Sequence, residues 1–242
     1  MQLVFFDTET TGVDGKHHRL CQLAYQCFTV IDGSLSKSGV EFSGLYRPPV
    51  PIDFEAMAVH HITAEMVADK SLFKESNEYA GIKELFEDPE TIAVAHNAKF
   101  DVEMLGREGI VIPKVICTMK IVQHIDGEGQ LSNYKLQYLR YRFGLDIAAD
   151  SHDAMGDVIV LRALFDHIYT KLPLSGNPFE YMVQLSDQRS MIAKFKFGKY
   201  AGKKFSWVAK NNKSYLVWLL DSESKKESPN EDLVYTLKHY VM

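Results

Sequence analysis

The chain is poor in cysteine. Cys21, Cys27 and Cys117 are an odd number without metal-ligand spacing. That excludes a disulfide framework and predicts three small buried hydrophobes of a reducing compartment. Long apolar runs are also missing. The first residues are apolar only over 3–6 and carry no basic leader, so neither a signal peptide nor a membrane span is expected. No internal repeat or low-complexity tract is visible, and a repeat architecture is not expected. These absences predict a cytoplasmic protein. A chain of 242 residues suggests one large domain, or a domain with a small appendage. At this size about 70% of the unfolded surface can be buried, so no staples are needed.

The charge that is present is unevenly placed. The net charge of −5 divides into 16 Lys+Arg against 26 Asp+Glu over residues 1–185, and 11 against 6 over 186–242. Seven lysines and no acid lie between Met191 and Leu220. An acidic half that concentrates cations, joined to a basic tail, suits an anionic polymer, although solvated surfaces explain the composition equally well.

Hydrophobic periodicity predicts strands over 3–6, 20–31 and 40–46, with a turn at Asp32-Gly33-Ser34 and a stop at Arg47-Pro48-Pro49. Short turns between consecutive strands imply an antiparallel meander. Helical spacing begins at Phe54, in two short pieces around His60-His61-Ile62-Thr63, and continues over 75–86. Strands are predicted at 91–95 and 111–117, and helices at 100–107, 134–143 and 154–169. A meander followed by alternating strands and helices predicts an α/β protein, with a mixed sheet covered on both faces. The Pro, Gly, Ser and Asn of 171–178 mark the expected boundary. The predicted division is a first domain at 1–172, a linker at 173–190, and a small basic, aromatic-rich module at 191–242.

The candidate chemistry rests on acids. Asp7 and Glu9 stand in Phe6-Asp7-Thr8-Glu9-Thr10-Thr11-Gly12, directly after an apolar run. Residues two apart on a strand share a side, so these carboxylates face one way and Thr8 the other. Such a pair is costly unless neutralised, and a divalent cation does that directly. Oxygen-only ligands favour Mg²⁺ or Mn²⁺ over zinc. Taken alone, the pair is as well read as a solvated strand end. Asp101 begins a helix, where the macrodipole favours an acid in any case. Asp157 lies on an apolar helical stripe continued by Leu161 and Leu164, where an unpaired carboxylate is expensive. Ser151 is the predicted cap of that helix, with His152 at its mouth. Taken alone, a histidine there reads as a surface or core residue.

Together, Phe6-Asp7-Thr8-Glu9-Thr10-Thr11-Gly12, Asn97-Ala98-Lys99-Phe100-Asp101 and His152-Asp153-Ala154-Met155-Gly156-Asp157 resemble the DEDDh 3′–5′ exonucleases of the DnaQ-like superfamily. The resemblance implies a ribonuclease H-like fold with its site at the end of the central strand. It implies two Mg²⁺ ions, with Mn²⁺ as alternative, roughly 3.5–4 Å apart over the scissile phosphate. Asp7, Glu9 and Asp157 would hold the first, Asp7 would reach the second, and Asp101 would act mainly through water. His152 is the implied general base, a role suited to an imidazole titrating near neutrality. Thr8, Thr10 and Thr11 would contact the terminal nucleotide. Met57-Ala58-Val59-His60-His61-Ile62-Thr63 matches the family's His-x-Ile-Thr element, so Met57, His60 and Ile62 would line its pocket while His61 faces solvent. Val13 is either an apolar contact to the end base or loop packing.

Longer segments resemble the bacterial exodeoxyribonuclease X group of that superfamily. They are Ala56-Met-Ala-Val-His, Met66-Val-Ala-Asp-Lys70, Ile116-Cys-Thr-Met-Lys120, Phe195-Lys-Phe-Gly-Lys-Tyr-Ala-Gly-Lys203, Tyr215-Leu-Val-Trp-Leu219 and Thr236-Leu-Lys-His-Tyr240. Asp126-Gly-Glu-Gly-Gln130 departs from that group's pattern. The resemblance implies an exodeoxyribonuclease with single-stranded and duplex DNA 3′ ends as partners, repair proteins as further partners, and a DNA-repair setting. A polymerase proofreading subunit, an exoribonuclease and a catalytically silent DNA-binding module stay open as alternatives. The basic tail has two readings. Its lysines and aromatics contact nucleic acid, or the aromatics form a core that the lysines solvate.

Overall fold

The computed structural model describes residues 1–13, 17–31, 34–147, 153–172, 176–227 and 229–242. The predicted turn residues Asp32 and Gly33, the predicted cap Ser151 and the proposed base His152 lie outside them.

The expected meander is present: β1 (Gln2–Thr10), β2 (Leu20–Ile31) and β3 (Ser34–Leu45) pair antiparallel in sequence order. β4 (Thr91–Ala95) pairs parallel with β1, and β5 (Val115–Cys117) parallel with β4, giving a mixed sheet in the order β3-β2-β1-β4-β5. β1 therefore lies in the middle. It runs beyond the predicted 3–6 because pairing with β2 continues to Thr10↔Leu20. β5 is shorter than the predicted 111–117, since Pro113 has no N–H to give a ladder.

Both faces of the sheet are covered. On one, Leu3, Phe5, Ile92, Val94 and Ile116 pack under α5 (Thr118–Ile125), α6 (Leu136–Arg142), α7 (Ala154–Tyr169) and α8 (Pro178–Asp187). On the other, Val4, Phe6, Ala93 and Ala95 meet Ile82 and Phe86 of α3 (Tyr79–Glu87) and Met104 and Leu105 of α4 (Lys99–Arg107). The short helices α1 (Phe54–His60) and α2 (Ala64–Val67) enclose a small cluster of Cys21, Ile52, Ile62 and Val67. All three cysteines are buried and unpaired.

Two helices depart from the sequence expectation. α5 follows β5 without a break, so one apolar run hides a change of period. α8 occupies most of the stretch predicted as a linker. The Asn177 side chain accepts from the amides of Phe179 and Glu180, Pro178 fills the first turn, and Phe179, Met182 and Leu185 enter the first core. That segment is packed structure and not a spacer.

Beyond it, α9 (Phe205–Asn211), α10 (Lys213–Ser224) and α11 (Glu231–Val241) enclose a separate core of Phe195, Phe205, Val208, Leu216, Leu219, Leu233 and Leu237. The rings of Phe195 and Phe205 stack 3.8 Å apart at its centre. Among the described residues no helix is long and apolar enough to cross a membrane.

Candidate functional site

The alternation of β1 builds the site. Leu3 and Phe5 point under α7, and Asp7 and Glu9 continue that face past the core, where Asp157 of α7 meets them. One carboxylate oxygen from each of Asp7, Glu9 and Asp157 lies within 4.8 Å of the others. Thr8 takes the opposite side. Its hydroxyl donates to Asp101 Oδ1 at 2.6 Å and its amide to the same oxygen at 3.2 Å. Asp101 is thereby carried on α4 to the same strand end, buried at 4% exposure.

The electrostatics follow from this crowding. Burial first, then the charges of Asp101, Glu9 and Asp157, hold the Asp7 carboxyl well above the ordinary range. Glu9 is pushed up to about 8, again by burial and then by Asp157 and Asp101. Asp101 is raised to about 7 by burial, although its hydrogen bonds from Thr8 pull the other way. Acids gathered in this way favour a cation strongly. Three carboxylate oxygens with no nitrogen or sulfur among them fit Mg²⁺ or Mn²⁺, the hard ions expected from the sequence.

Polar residues from other elements hold these acids. Gln137 of α6 donates to Asp157 Oδ1 at 2.5 Å. Gln22 stands beside Glu9 on β2, donates to Asp153 Oδ1 at 3.0 Å and accepts from the Ala154 amide at 3.4 Å. Asp153, and not the predicted Ser151, caps α7, accepting from the Gly156 amide. The sheet thus grips the helix whose first turn carries Asp157. His96, after β4, bridges the Thr118 hydroxyl and the Tyr134 carbonyl, and burial lowers its pKa to about 4. It is a neutral tie between β4, α5 and the approach to α6. Single positions gave no signal for Gln22, Gln137 or His96, because their partners lie 20 to 132 residues away. The Asn177-Pro178 helix start was the readable signal for α8.

The remaining predicted contacts sort differently. The donors of Thr8 are committed to Asp101, so the hydroxyl expected at a nucleotide faces a carboxylate instead. The Thr10 hydroxyl donates to the Gly12 carbonyl, and that of Thr11 meets His18 Nδ1 and the Arg19 amide. His60 is buried. Its Nδ1 accepts from the Ile62 amide, which leaves Nε2–H to donate to the Thr10 carbonyl at 3.1 Å. Burial lowers its pKa, in keeping with this neutral tautomer. Ile62 is buried, Met57 partly buried against the same cluster, and Val13 is 89% exposed. His61 is exposed, as expected, in the left-handed conformation that ends α1.

Comparison with known proteins places the chain in a family. A family model described as "Exonuclease" matches residues 4–165. Exodeoxyribonuclease 10 of Escherichia coli K12 is 33% identical over 99% of this chain and 98% of its own. A DNA polymerase III subunit epsilon from Treponema pallidum is 33% identical over 66% of this chain and 73% of its own. Among solved structures, exonuclease X in complex with 5′ overhanging duplex DNA aligns with a TM-score of 0.57 and 29% identity, covering 76% of this chain and 99% of that one. The E. coli exonuclease I complex with single-stranded DNA aligns with a TM-score of 0.60 at 20% identity, a likeness of fold.

Proposed function

Because the chain belongs to the exonuclease family, we propose that it is a metal-dependent 3′–5′ exodeoxyribonuclease that releases nucleotides from DNA 3′ ends and serves in DNA repair. The observation that carries this reading is the convergence of Asp7, Glu9 and Asp157 on one point, with Asp101 beside them. Such a cluster destabilises the fold and gains purpose only from the cations it attracts.

Asp7, Glu9 and Asp157 would hold one Mg²⁺ or Mn²⁺, and Asp7, with Asp101 acting through water, a second. When bound, the cations neutralise the cluster and supply Lewis acidity to the scissile phosphodiester. His152, just ahead of the Asp153 cap, takes the proton of the attacking water. Gln137 and the Gln22–Asp153 tie keep Asp157 and the mouth of α7 in place. Thr10, Thr11, His60 and Ile62 shape the terminal-nucleotide pocket from behind, and Met57 and Val13 present its apolar contact.

The near-complete overlap with an exodeoxyribonuclease favours a free-standing enzyme over a proofreading subunit, since the Treponema pallidum subunit overlaps 66% of the chain. The test uses 5′-labelled DNA and RNA of one sequence with Mg²⁺, beside an Asp7→Ala control. A DNA ladder shortening from the 3′ end, absent in the control, is the expected result. Faster shortening of RNA would make it an exoribonuclease. Binding without shortening in Mg²⁺ or Mn²⁺ would leave a silent DNA-binding module.

A further inference from the structure

Six aromatic residues of the C-terminal module run from its core to its surface. Phe195 and Phe205 are sealed in its core. Tyr200 and Tyr215 pack on Phe195, each with its ring centroid 6.1 Å away, and form a connected row with Trp207 and Trp218 at the surface. Ring centroids are 6.3 Å apart from Trp207 to Tyr200, 4.9 Å from Tyr200 to Tyr215, and 5.5 Å from Tyr215 to Trp218. The tyrosines are partly buried, and the tryptophans at the two ends are 44% and 59% exposed.

Lysines lie along this row. Lys199 Nζ is 5.0 Å from the Tyr200 ring and 4.9 Å from the Tyr215 ring, and Lys203 Nζ is 5.1 Å from the Trp207 ring. Neither forms an ion pair with a carboxylate among the described residues, and no acid occurs between Met191 and Leu220. Lys196 extends the positive charge toward the first domain. Its Nζ lies 3.7 Å over the Tyr134 ring, two residues before the helix whose Gln137 holds Asp157.

A row of rings exposed at its two ends and flanked by unpaired lysines fits a partner with flat aromatic faces and a chain of negative charge. We propose that the face formed by Trp207, Tyr200, Tyr215, Trp218, Lys199 and Lys203 is a stacking platform for single-stranded DNA, whose 3′ end runs past Lys196 to the carboxylate site. Every base offers a ring face, so such a platform holds a strand without reading its sequence. The cation–ring contacts keep the lysines raised beside the rings, where phosphates pass. The fit to DNA rests on the activity proposed above. The platform itself is separable from it, because binding is measured without hydrolysis.

The experiment measures binding of a fluorescent oligothymidylate by the full chain, over a range of KCl, with Asp7→Asn as background to prevent degradation. Two double variants are added to it, W207A/W218A and K199Q/K203Q. The first should bind about tenfold weaker or more for each stacked base lost. The second should flatten the plot of log affinity against log salt by about 1.4, at ~0.7 per phosphate contact on a single strand. The lysine pair is exposed and outside the core, so that variant keeps its fold and tests the surface even if the tryptophan variant unfolds. Wild-type affinity and slope in both variants would overturn the proposal, as would tighter binding of blunt duplex than of single strand. Failure of the proposed activity would look different: the wild-type chain would bind but leave labelled DNA intact.

Discussion

The acidic strand end and the lysine-lined module stand at opposite ends of a cost scale. At the strand end, like charges are drawn together in partial burial and their carboxyls are held above their ordinary range. Folding works against itself there, and the apolar packing of Leu3, Phe5, Leu161 and Phe165 beneath compensates. In the module Lys199 and Lys203 stay in water, while Phe195 and Phe205 hold the fold from inside. One region is strained by its chemistry and the other is not. A substitution in the first should change stability and activity together, in opposite directions, whereas one in the second should change recognition alone.

The sharpest test of that contrast is Asp7→Asn. Hydrolysis should fall by about 10³-fold or more, since metal ligation supplies several kcal/mol of barrier lowering. Yet the metal-free variant should melt higher than wild type at pH 8, because the neutral amide spares folding the cost of burying a charge or taking up a proton. A lower melting temperature by calorimetry would break the comparison. His152→Ala should lose about 10²–10⁴-fold in rate while retaining metal and DNA binding, as expected of a general base. Unchanged turnover would remove His152 from the mechanism. Gln137→Leu should cost about 10–100-fold in Mg²⁺ affinity or activity, as loss of a ligand's outer partner does. A Mg²⁺ titration of turnover measures it, and an unshifted curve would reduce Gln137 to packing.

The pH dependence has a definite sign. Glu9 rises from 4.5 to about 8 on folding, and Asp101 from 3.8 to about 7. The native state therefore binds more protons than the unfolded one across that window. The stability these groups contribute is complete below about pH 4 and is lost as pH rises toward 8. Thermal melts of metal-free protein should decline over this range, and Mg²⁺ should remove the decline. A flat metal-free profile would count against the crowded cluster. The smallest effect is expected in the module, where K199Q/K203Q should leave stability within about 0.5 kcal/mol of wild type. A larger loss in denaturant melts would give these lysines a structural role.

What was legible in the sequence was local. The two-residue period placed Asp7 and Glu9 together and sent Thr8 to the other side, and the meander and the helix of Asp157 followed from periodicity. What was not legible lay in distant pairings. Thr8 meets Asp101 across 93 residues and Gln22 meets Asp153 across 131, and no pattern within either segment announces its partner. The polar groups proposed for a terminal-nucleotide pocket could be named from the sequence but not oriented, since the Thr11 hydroxyl meets His18 and His60 reaches across 50 residues to the Thr10 carbonyl. The aromatic tail illustrates the same limit. Composition could not separate the sealed Phe195 from the exposed Trp218, because only packing divides inside from outside.

The alternation of β1 makes the centre intolerant of changes in chain length. Odd positions give two core residues and then two acids, while even positions give two core residues and then the threonine that tethers Asp101. Deleting or inserting one residue ahead of Asp7 would exchange the faces, presenting Phe6 and Thr8 to α7 and driving both carboxylates into the opposite core. The aim of the acids is thus inherited from rings such as Phe5, wedged edge-on between Phe28 and Phe165. Variation by substitution remains open to this strand, but variation by length is closed to it.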